Sequence, residues 1–142
     1  MDLDTLLNKN QKEAATYLDS HLRIIAGAGS GKTRVVTYRI AHLIQDVGID
    51  PRSILAITFT NKAANEMKER VNEVVGIHGS GTLICTIHSL CVRFLRQHIN
   101  VLNYPSNFTI MDEEDQKALI KKLYTQLEID AKVISIKSMI NT

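Results

Sequence analysis

The sequence of 142 residues has no tryptophan, two prolines and only two cysteines. Cys85 and Cys91 lie in apolar stretches without metal-ligand spacing, so we expect buried thiols in a reducing compartment rather than a disulfide framework. A small secreted protein held together by disulfide bonds is thereby excluded. Because 44% of the residues are apolar and 23% are charged, the chain can bury one core.

Net charge and long apolar runs are scarce as well. The 17 Lys and Arg residues against 15 Asp and Glu give a formal charge of +2, too small by itself to indicate a nucleic-acid or membrane surface. No run approaches the roughly 18 apolar residues of a membrane span, and residues 1–12 hold no apolar leader segment. We therefore expect a soluble, cytoplasmic protein with no membrane partner.

Three of the seven glycines cluster between Gly27 and Gly31. The apolar run Leu22–Ala26 precedes them and has the length of a buried strand. A helical pattern follows them and ends at Gly48. The order strand, glycine loop, helix is therefore predicted for this part of the chain.

Two more strand–helix units follow. The apolar runs Ile54–Phe59 and Leu83–Ile87 predict strands, and each leads into a helical pattern, the first of them headed by Thr60. The predicted inward positions are Ala64, Met67, Val71 and Val74 in one helix and Cys91, Phe94, Leu95 and His98 in the other. Three β-α units in series favour an α/β fold with a parallel sheet covered by helices.

A second region is predicted from about residue 111 to residue 142. The pattern breaks at Asn103–Asn107, and the acidic run Asp112–Asp115 opens an amphipathic helix. The apolar positions of that helix are Leu119, Ile120, Leu123 and Leu127. Residues 132–142 end in mid-pattern and suggest a helix with nothing to pack on, so we expect the chain to be a piece of a longer protein.

Residues 26–33, Ala-Gly-Ala-Gly-Ser-Gly-Lys-Thr, match a phosphate-binding loop, apart from the alanine at the first position. Glycines let the backbone curl so that the N–H groups of residues such as Ala28, Gly29, Ser30 and Gly31 point at phosphate oxygens of a triphosphate. Lys32 can reach the β and γ phosphates, and the Thr33 hydroxyl can ligate Mg²⁺. The alternative is an ordinary glycine-rich turn with a solvated lysine.

Gln11 and Arg34, on either side of this loop, each have two interpretations. Asn8 and Gln11 have the spacing of a capping box, in which each side chain bonds the backbone N–H of the other residue. The functional interpretation of Gln11 is an amide whose donor and acceptor face the edge of adenine. Spacing alone favours the cap, and both roles can hold for different atoms. Arg34 is open between a solvated helix charge and a nucleotide contact.

Polar and aromatic residues follow the ends of the second and third predicted strands. Ligands of doubly wound sheets bind beyond the carboxyl ends of the strands, so these segments and the glycine loop should share one edge. The alternatives are a core position for Phe59, which periodicity alone favours, and a polar helix-start residue for His88. Aromatic rings stack on bases and cations follow the phosphates of a single strand. The side chains available are Thr58, Phe59, Thr60, Asn61, Lys62, Thr86, His88 and Ser89, with Arg93 and Arg96 one turn further.

A phosphate-loop ATPase also needs a carboxylate at the end of another strand to hold Mg²⁺. The one candidate segment is Phe108–Glu113, whose apolar run is short. The acidic residues that follow suit the first turn of a helix, where carboxylates meet the positive end of the helix dipole. A helix start at Asp112 is therefore favoured over a metal site.

Together these motifs resemble the beginning of the UvrD/PcrA/Rep group of superfamily 1 DNA helicases over nearly the whole chain. Leu7 and Asn8 with Gln11 resemble the Q motif of that family, and residues 26–34 resemble its motif I, including the alanine at the first position. Residues 58–64 resemble motif Ia, and residues 86–89 resemble motif Ib. Residues 108–116 resemble the point at which the first RecA-like domain gives way to an inserted helical subdomain.

The resemblance implies a RecA-like P-loop parallel sheet with flanking helices in residues 1–110 and the start of a helical subdomain in residues 111–142. It implies that Gln11 recognises adenine and that Asp112 and Glu113 are not the metal site. In the family, the Mg²⁺-binding carboxylates, the arginine fingers and the second RecA-like domain come later than residue 142. The implied DNA contacts are Phe59, Thr60, Asn61, Lys62, His88 and Arg93.

The implied activity is 3′ to 5′ movement on single-stranded DNA with unwinding of duplex junctions, driven by ATP and Mg²⁺, in DNA repair or replication and with loading proteins as partners. The chain alone is expected to bind nucleotide weakly without turning it over, because no general base or arginine finger completes the site. Two alternatives stay open. One is a small P-loop kinase or NTPase acting on a metabolite, with Asp112 as metal ligand; the other is a nucleotide-independent binding module that uses the basic helix face around Arg93 and Arg96.

Overall fold

The computed structural model describes residues 1–129 and 135–140, and the chain divides into two compact units, Met1–Phe94 and Leu95–Thr142. No helix within the described residues is long and apolar enough to cross a membrane. The first unit holds α1 (Leu3–Leu6), α2 (Lys9–Thr16), α3 (Lys32–Gln45), β1 (Leu55–Thr58), α4 (Asn61–Val75), β2 (Leu83–Thr86) and most of α5 (Ile87–His98). The second unit holds α6 (Glu113–Gln126) and α7 (Ile136–Ile140).

β1 and β2 form a two-stranded parallel sheet in which Leu55 lies opposite Leu83 and Thr58 lies opposite Thr86. Parallel neighbours need a long crossover connection, and α4 provides it and packs against both strands. The predicted second and third strands, their parallel direction and the α/β class are therefore confirmed.

The predicted first strand, residues 22–26, is wrong, because these residues form neither strand nor helix. A strand requires a hydrogen-bonded neighbour, and in the described part of the chain β1 and β2 pair only with each other. The side chain of Ile25 is 86% exposed, and Leu22 and Ile24 are exposed as well. The glycine loop is therefore entered from an irregular segment.

The main core of the first unit lies between α3, α4 and one face of the sheet. Side chains alternate between the two faces of a strand, so Ala56 is buried in this core while Leu55 and Ile57 are about half exposed. The predicted inward face of α4 is confirmed, with Val75 buried beside a half-buried Val74. The buried members of the core are Ile40, Ala41, Ala56, Met67, Val71, Val75 and Ile84.

A smaller apolar cluster fixes α1 and α2 against α3. Its buried members are Leu3, Leu7, Ala15 and Val35. Arg39 of α3 adds a polar tie, since its Nη1 donates to the carbonyl oxygens of Ala14 at 3.1 Å and Tyr17 at 2.7 Å. These carbonyls lie at the end of α2, where the helix leaves its last carbonyls unpaired. The contacts hold α2 beside the start of α3, where the glycine loop lies.

Helix α5 is less buried than predicted. None of its residues is buried, and the predicted inward residues Cys91, Phe94, Leu95 and His98 are all exposed. An amphipathic pattern shows which face of a helix favours burial, whereas burial itself requires a second element packed over that face. The prediction of buried thiols is therefore wrong for Cys91, while Cys85 on β2 is half-buried.

The second unit begins its main helix as predicted. The Asp112 carboxylate accepts hydrogen bonds from the backbone N–H groups of Glu114 and Asp115, both at 2.8 Å, and so caps α6. In α6 Tyr124 is buried, whereas Leu119 and Leu123 are exposed. Because α7 packs against α6, the prediction of a terminal helix with nothing to pack on is wrong for residues 136–140. Residues 132–134, 141 and 142 of the predicted segment lie outside the described residues.

Candidate nucleotide and nucleic-acid site

The glycine loop turns sharply into α3. Gly29 and Gly31 have φ angles of +75° and +83°, in the left-handed region that only glycine adopts without strain. Gly31 is the N-cap of α3 and supplies no side chain to bond the first turn. The N–H groups of the first helical residues therefore lack an acceptor within the helix and are available to an anion.

Lys32 folds back onto the loop that precedes it. Its Nζ donates to the carbonyl oxygens of Ala26 at 3.0 Å and Gly27 at 2.7 Å. The Ser30 hydroxyl also donates to the Gly27 carbonyl, at 2.8 Å. The Gly27 carbonyl oxygen thus accepts hydrogen bonds from both Lys32 and Ser30, which closes the loop. Because Lys32 is exposed, a phosphate can compete with the carbonyl oxygens for its ammonium group.

Gln11 connects the start of α2 to the same loop. The predicted capping box is confirmed: Gln11 N–H donates to Asn8 Oδ1 at 2.9 Å, and Asn8 N–H donates to Gln11 Oε1 at 3.1 Å. The other end of the amide reaches the loop, where Gln11 Nε2 donates to the Ser30 carbonyl at 3.0 Å. A Cβ at Gly31 would lie 2.8 Å from Gln11 Nε2, so a larger residue there would force the Gln11 amide to move.

A concave pocket of about 250 Å³ joins Gln11 to Lys32. Its lining combines apolar side chains with amide, hydroxyl and ammonium groups, a mixture that suits a ligand with a flat ring and an anionic tail. The lining residues come from α2, the irregular segment, the loop and α3: Asn8, Asn10, Gln11, Ala14, Ile24, Ile25, Ala26, Ser30, Lys32 and Val35.

Arg34 is not among the residues that line this pocket. Its guanidinium carbon lies 5.7 Å from the centroid of the Tyr38 ring, one turn along α3. Both residues line a second cavity, of about 270 Å³, between α3 and α4, together with Thr37, Arg70, Glu73 and Val74. Arg34 therefore lies outside the pocket that joins Gln11 to Lys32, and its nucleotide contact stays a prediction.

Thr33 is exposed in the first turn of α3, and its carbonyl accepts a hydrogen bond from Thr37 Oγ1 at 3.0 Å. A hydroxyl oxygen is a suitable ligand for Mg²⁺, which prefers oxygen and keeps several waters. No three His, Cys, Asp or Glu side chains within residues 1–129 and 135–140 are grouped so as to hold a metal ion. Within those residues, Thr33 therefore offers a magnesium ion one hydroxyl oxygen and no preformed cluster of three such ligands.

The end of β1 presents Phe59 to solvent. Its side chain is 99% exposed, so the alternative of a core position is wrong. Thr60 caps α4, with its Oγ1 accepting from Ala63 N–H at 3.1 Å. Asn61 and Lys62 follow in the first turn of α4 and are exposed. One aromatic ring, one amide and one ammonium group are thus available together at this strand end.

The end of β2 lies at the same edge of the sheet, because Thr58 and Thr86 are paired in a parallel register. The Thr86 and Ser89 hydroxyls lie 2.9 Å apart and hold the start of α5, in which His88 and Arg93 are exposed. The predicted meeting of these two segments is therefore confirmed. The sheet register does not place the glycine loop at this edge, since residues 22–26 do not join the sheet.

Residues 7–142 match the family described as UvrD/REP helicase N-terminal domain. The chain belongs to this family. A relative named ATP-dependent DNA helicase PcrA from Staphylococcus aureus strain Mu50 is 48% identical over 126 residues, which cover 89% of this chain and 17% of the relative. The protein of the same name from Bacillus subtilis strain 168 is 46% identical over 136 residues, which cover 96% of this chain and 18% of the relative. The chain therefore spans less than a fifth of the length of these relatives.

Three contacts of predicted site residues in this UvrD/REP family chain were missed by sequence reasoning. The spacing of Arg34 and Tyr38, one helical turn apart, was a usable signal for their contact. Nothing in the sequence indicated the hydrogen bond between Gln11 and the Ser30 carbonyl, because residue types do not reveal which backbone carbonyl accepts a hydrogen bond. Arg96, expected to be a free basic group, donates to the Ser106 carbonyl at 3.2 Å and lies over the Phe108 ring.

Proposed function

We propose that this chain is the ATP-binding, amino-terminal part of a 3′ to 5′ DNA helicase that couples ATP hydrolysis to movement on single-stranded DNA and to duplex unwinding, in DNA repair or replication. The observation that carries the proposal is the meeting of Gln11 and Lys32 in one pocket beside the glycine loop. Family membership and the name of the PcrA relatives, ATP-dependent DNA helicase, support the activity. A RecA-like arrangement of residues 1–110, with a helical subdomain starting at residue 111, belongs to the same proposal.

The nucleotide-binding part of the proposal assigns a role to each group around the loop. Lys32 exchanges its bonds to the Ala26 and Gly27 carbonyls for oxygens of the β and γ phosphates. Gln11 faces the adenine edge, and Thr33 supplies one oxygen to Mg²⁺, which neutralises phosphate charge when it is bound. The remaining nucleotide contacts are Ala28, Gly29, Ser30, Gly31 and Arg34, the first four through backbone N–H groups.

The nucleic-acid part of the proposal uses the shared edge of β1 and β2. The fully exposed Phe59 ring is free to stack on a base, and base stacking on an aromatic side chain contributes about 1–3 kcal/mol. Small polar groups and cations beside it follow the phosphates. The proposed DNA contacts are Phe59, Thr60, Asn61, Lys62, His88 and Arg93. The proposal also includes duplex junctions and loading proteins as partners and a cytoplasmic location.

The residues on which the two alternatives relied have other contacts, so we favour neither. A metabolite kinase needs Asp112 as metal ligand, but that carboxylate caps α6. A nucleotide-independent module needs the basic face of α5, and one of its two arginines, Arg96, is engaged with the backbone and ring of the segment that follows α5.

The nucleotide proposal is tested by titrating the 142-residue chain with a fluorescent ATP analogue in the presence of Mg²⁺. We expect weak binding without turnover, and a loss of affinity of about ten- to a hundredfold in Lys32→Ala, because charge-assisted hydrogen bonds contribute about 1.5–3 kcal/mol. Lys68→Ala, which removes an exposed lysine from α4, is the matched control and should bind like the parent chain. Equal affinity of the Lys32 and Lys68 variants would remove the basis of the proposal.

A further inference from the structure

The contact between Arg34 and Tyr38 carries an inference that goes one step beyond the proposed function. Arg34 is the one proposed nucleotide contact whose charged group is stacked on an aromatic ring. We infer that Tyr38 is a positioning residue, which fixes the guanidinium of Arg34, a residue of the first turn of α3, for a nucleotide that binds at the start of that helix. The inference rests on the proposed function, since that function places Arg34 on the nucleotide.

Tyr38 is itself fixed in place. Its half-buried ring packs against the cluster formed by Leu3, Leu7, Ala15 and Val35, which joins α1 and α2 to α3. The Arg34 guanidinium carbon lies 5.7 Å from the ring centroid, within the range in which a cation is attracted by an aromatic face. A ring that packs against this cluster thus offers the arginine a fixed support.

The support leaves the charge of Arg34 available. Glu73 lines the same cavity, yet none of the ion pairs in the described part of the chain joins a carboxylate to Arg34. A carboxylate partner would occupy the N–H groups of the guanidinium and neutralise it. A ring face occupies only one side of the guanidinium plane and leaves its N–H groups and its other side accessible.

The position of Arg34 gives this support a consequence for binding. A Cβ at Gly31, the last glycine of the loop, would lie 3.9 Å from Arg34 Cβ, so the arginine begins directly beside the loop. A long exposed side chain loses conformational entropy when a ligand fixes it. If Tyr38 already holds the Arg34 side chain in the free protein, nucleotide binding costs less conformational entropy.

The inference is tested by a double-mutant cycle for ATP affinity in the full 142-residue chain. We expect Tyr38→Leu to weaken ATP binding about two- to fivefold, the size of an exposed cation–π contact, and Tyr38→Phe to bind like the parent chain because it keeps the ring. In an Arg34→Ala background, Tyr38→Leu should cause no further loss. A residue that only maintains packing would weaken binding equally in both backgrounds, and that result would overturn the inference.

A second measurement does not depend on the stability of any variant. In the parent chain, the NMR signal of Arg34 Nε–H should be displaced by the ring current of Tyr38 relative to the signal of the exposed Arg93. An undisplaced signal would show that the two groups are not stacked in solution, and the inference would fail. If ATP affinity depends on Lys32 but not on Tyr38, the inference fails alone, whereas independence from Lys32 removes the proposed function.

Discussion

Gln11 Nε2 donates a hydrogen bond to the carbonyl oxygen of Ser30 at 3.0 Å, although the two residues lie 19 positions apart in the sequence. The same amide accepts the Asn8 N–H through Oε1, so one side chain both caps α2 and holds the glycine loop. A nucleobase that bonds this amide must therefore compete with contacts inside the protein. The side-chain amide of Gln11 therefore connects the start of α2 to the glycine loop.

Replacing Gly31 by alanine should weaken nucleotide binding. The new Cβ would lie 2.8 Å from Gln11 Nε2, and the φ angle of +83° is strained for alanine by about 1–2 kcal/mol. We expect a fall in ATP affinity of about tenfold or more, measured by titration with the fluorescent analogue. Gly27→Ala is the matched control, since its Cβ would meet nothing within 4 Å. Equal effects of the two substitutions would show that the approach of Gln11 to the loop is irrelevant for binding.

Replacing Asn8 by alanine should lower the free energy of unfolding by about 0.5–2 kcal/mol, because the substitution removes the acceptor that caps α2. Urea denaturation followed by circular dichroism measures the change. Asn8→Asp keeps an acceptor at the same position and should retain most of the stability. Asn10→Ala, two residues further in α2, serves as a second control. A loss as large in Asn10→Ala as in Asn8→Ala would contradict the capping role.

Replacing Phe59 by alanine should weaken single-stranded DNA binding by about 1–3 kcal/mol and leave the free energy of unfolding unchanged, because the ring is exposed and contributes little to the core. Fluorescence anisotropy with a labelled oligonucleotide measures the affinity. Ile77→Ala removes another apolar side chain, 83% exposed, from the turn after α4 and is the control. If the Phe59 and Ile77 variants bind DNA alike, the strand end is not a base-stacking site.

The carboxylate of Asp46 should make the stability of the fold depend on pH in the acid range. A hydrogen bond from His42, at 2.8 Å, and then the Met1 ammonium group lower the pKa of Asp46 below its ordinary value. The folded pKa thus lies below the unfolded value of about 3.9, so the stabilisation is present above that value and is lost as the pH falls through the folded pKa.

The stability difference between the parent chain and Asp46→Asn should therefore be fully present near neutral pH and shrink as the pH falls from the unfolded value of about 3.9 through the lower folded pKa. Urea denaturation at a series of pH values measures it. Asp19→Asn, at an exposed position, is the control. A difference that stays constant from neutral to acid pH would show that the carboxylate of Asp46 is not responsible.

Local patterns in the sequence were sufficient for the elements that depend on local interactions. The capping box of Asn8 and Gln11 and the helix start at Asp112 were predicted because the groups involved lie within one helical turn. β1 and β2 were predicted from short apolar runs that are followed by helical periodicity. The shared edge of Phe59 and His88 then followed from the parallel direction of the strands.

The errors concern interactions between distant parts of the chain. The run of residues 22–26 has the composition of a strand, but membership of a sheet depends on a neighbour that no local pattern reveals. The apolar stripe of α5 predicted burial for Cys91 and Leu95, and burial depends on which element covers the stripe. The tie between Arg39 and the end of α2 escaped prediction for the same reason, since its acceptors are backbone carbonyls more than 20 residues away.

A sheet of two strands has consequences for handling the chain in solution. Within the described residues, β1 and β2 each have one lateral edge whose backbone groups pair with no other strand, and the side chains of Leu55 and Ile57 are only half covered. Open edges beside apolar side chains are templates for the addition of strands from other molecules. Purified chains should therefore self-associate as their concentration rises, and light scattering over a dilution series would reveal the concentration below which they stay monomeric.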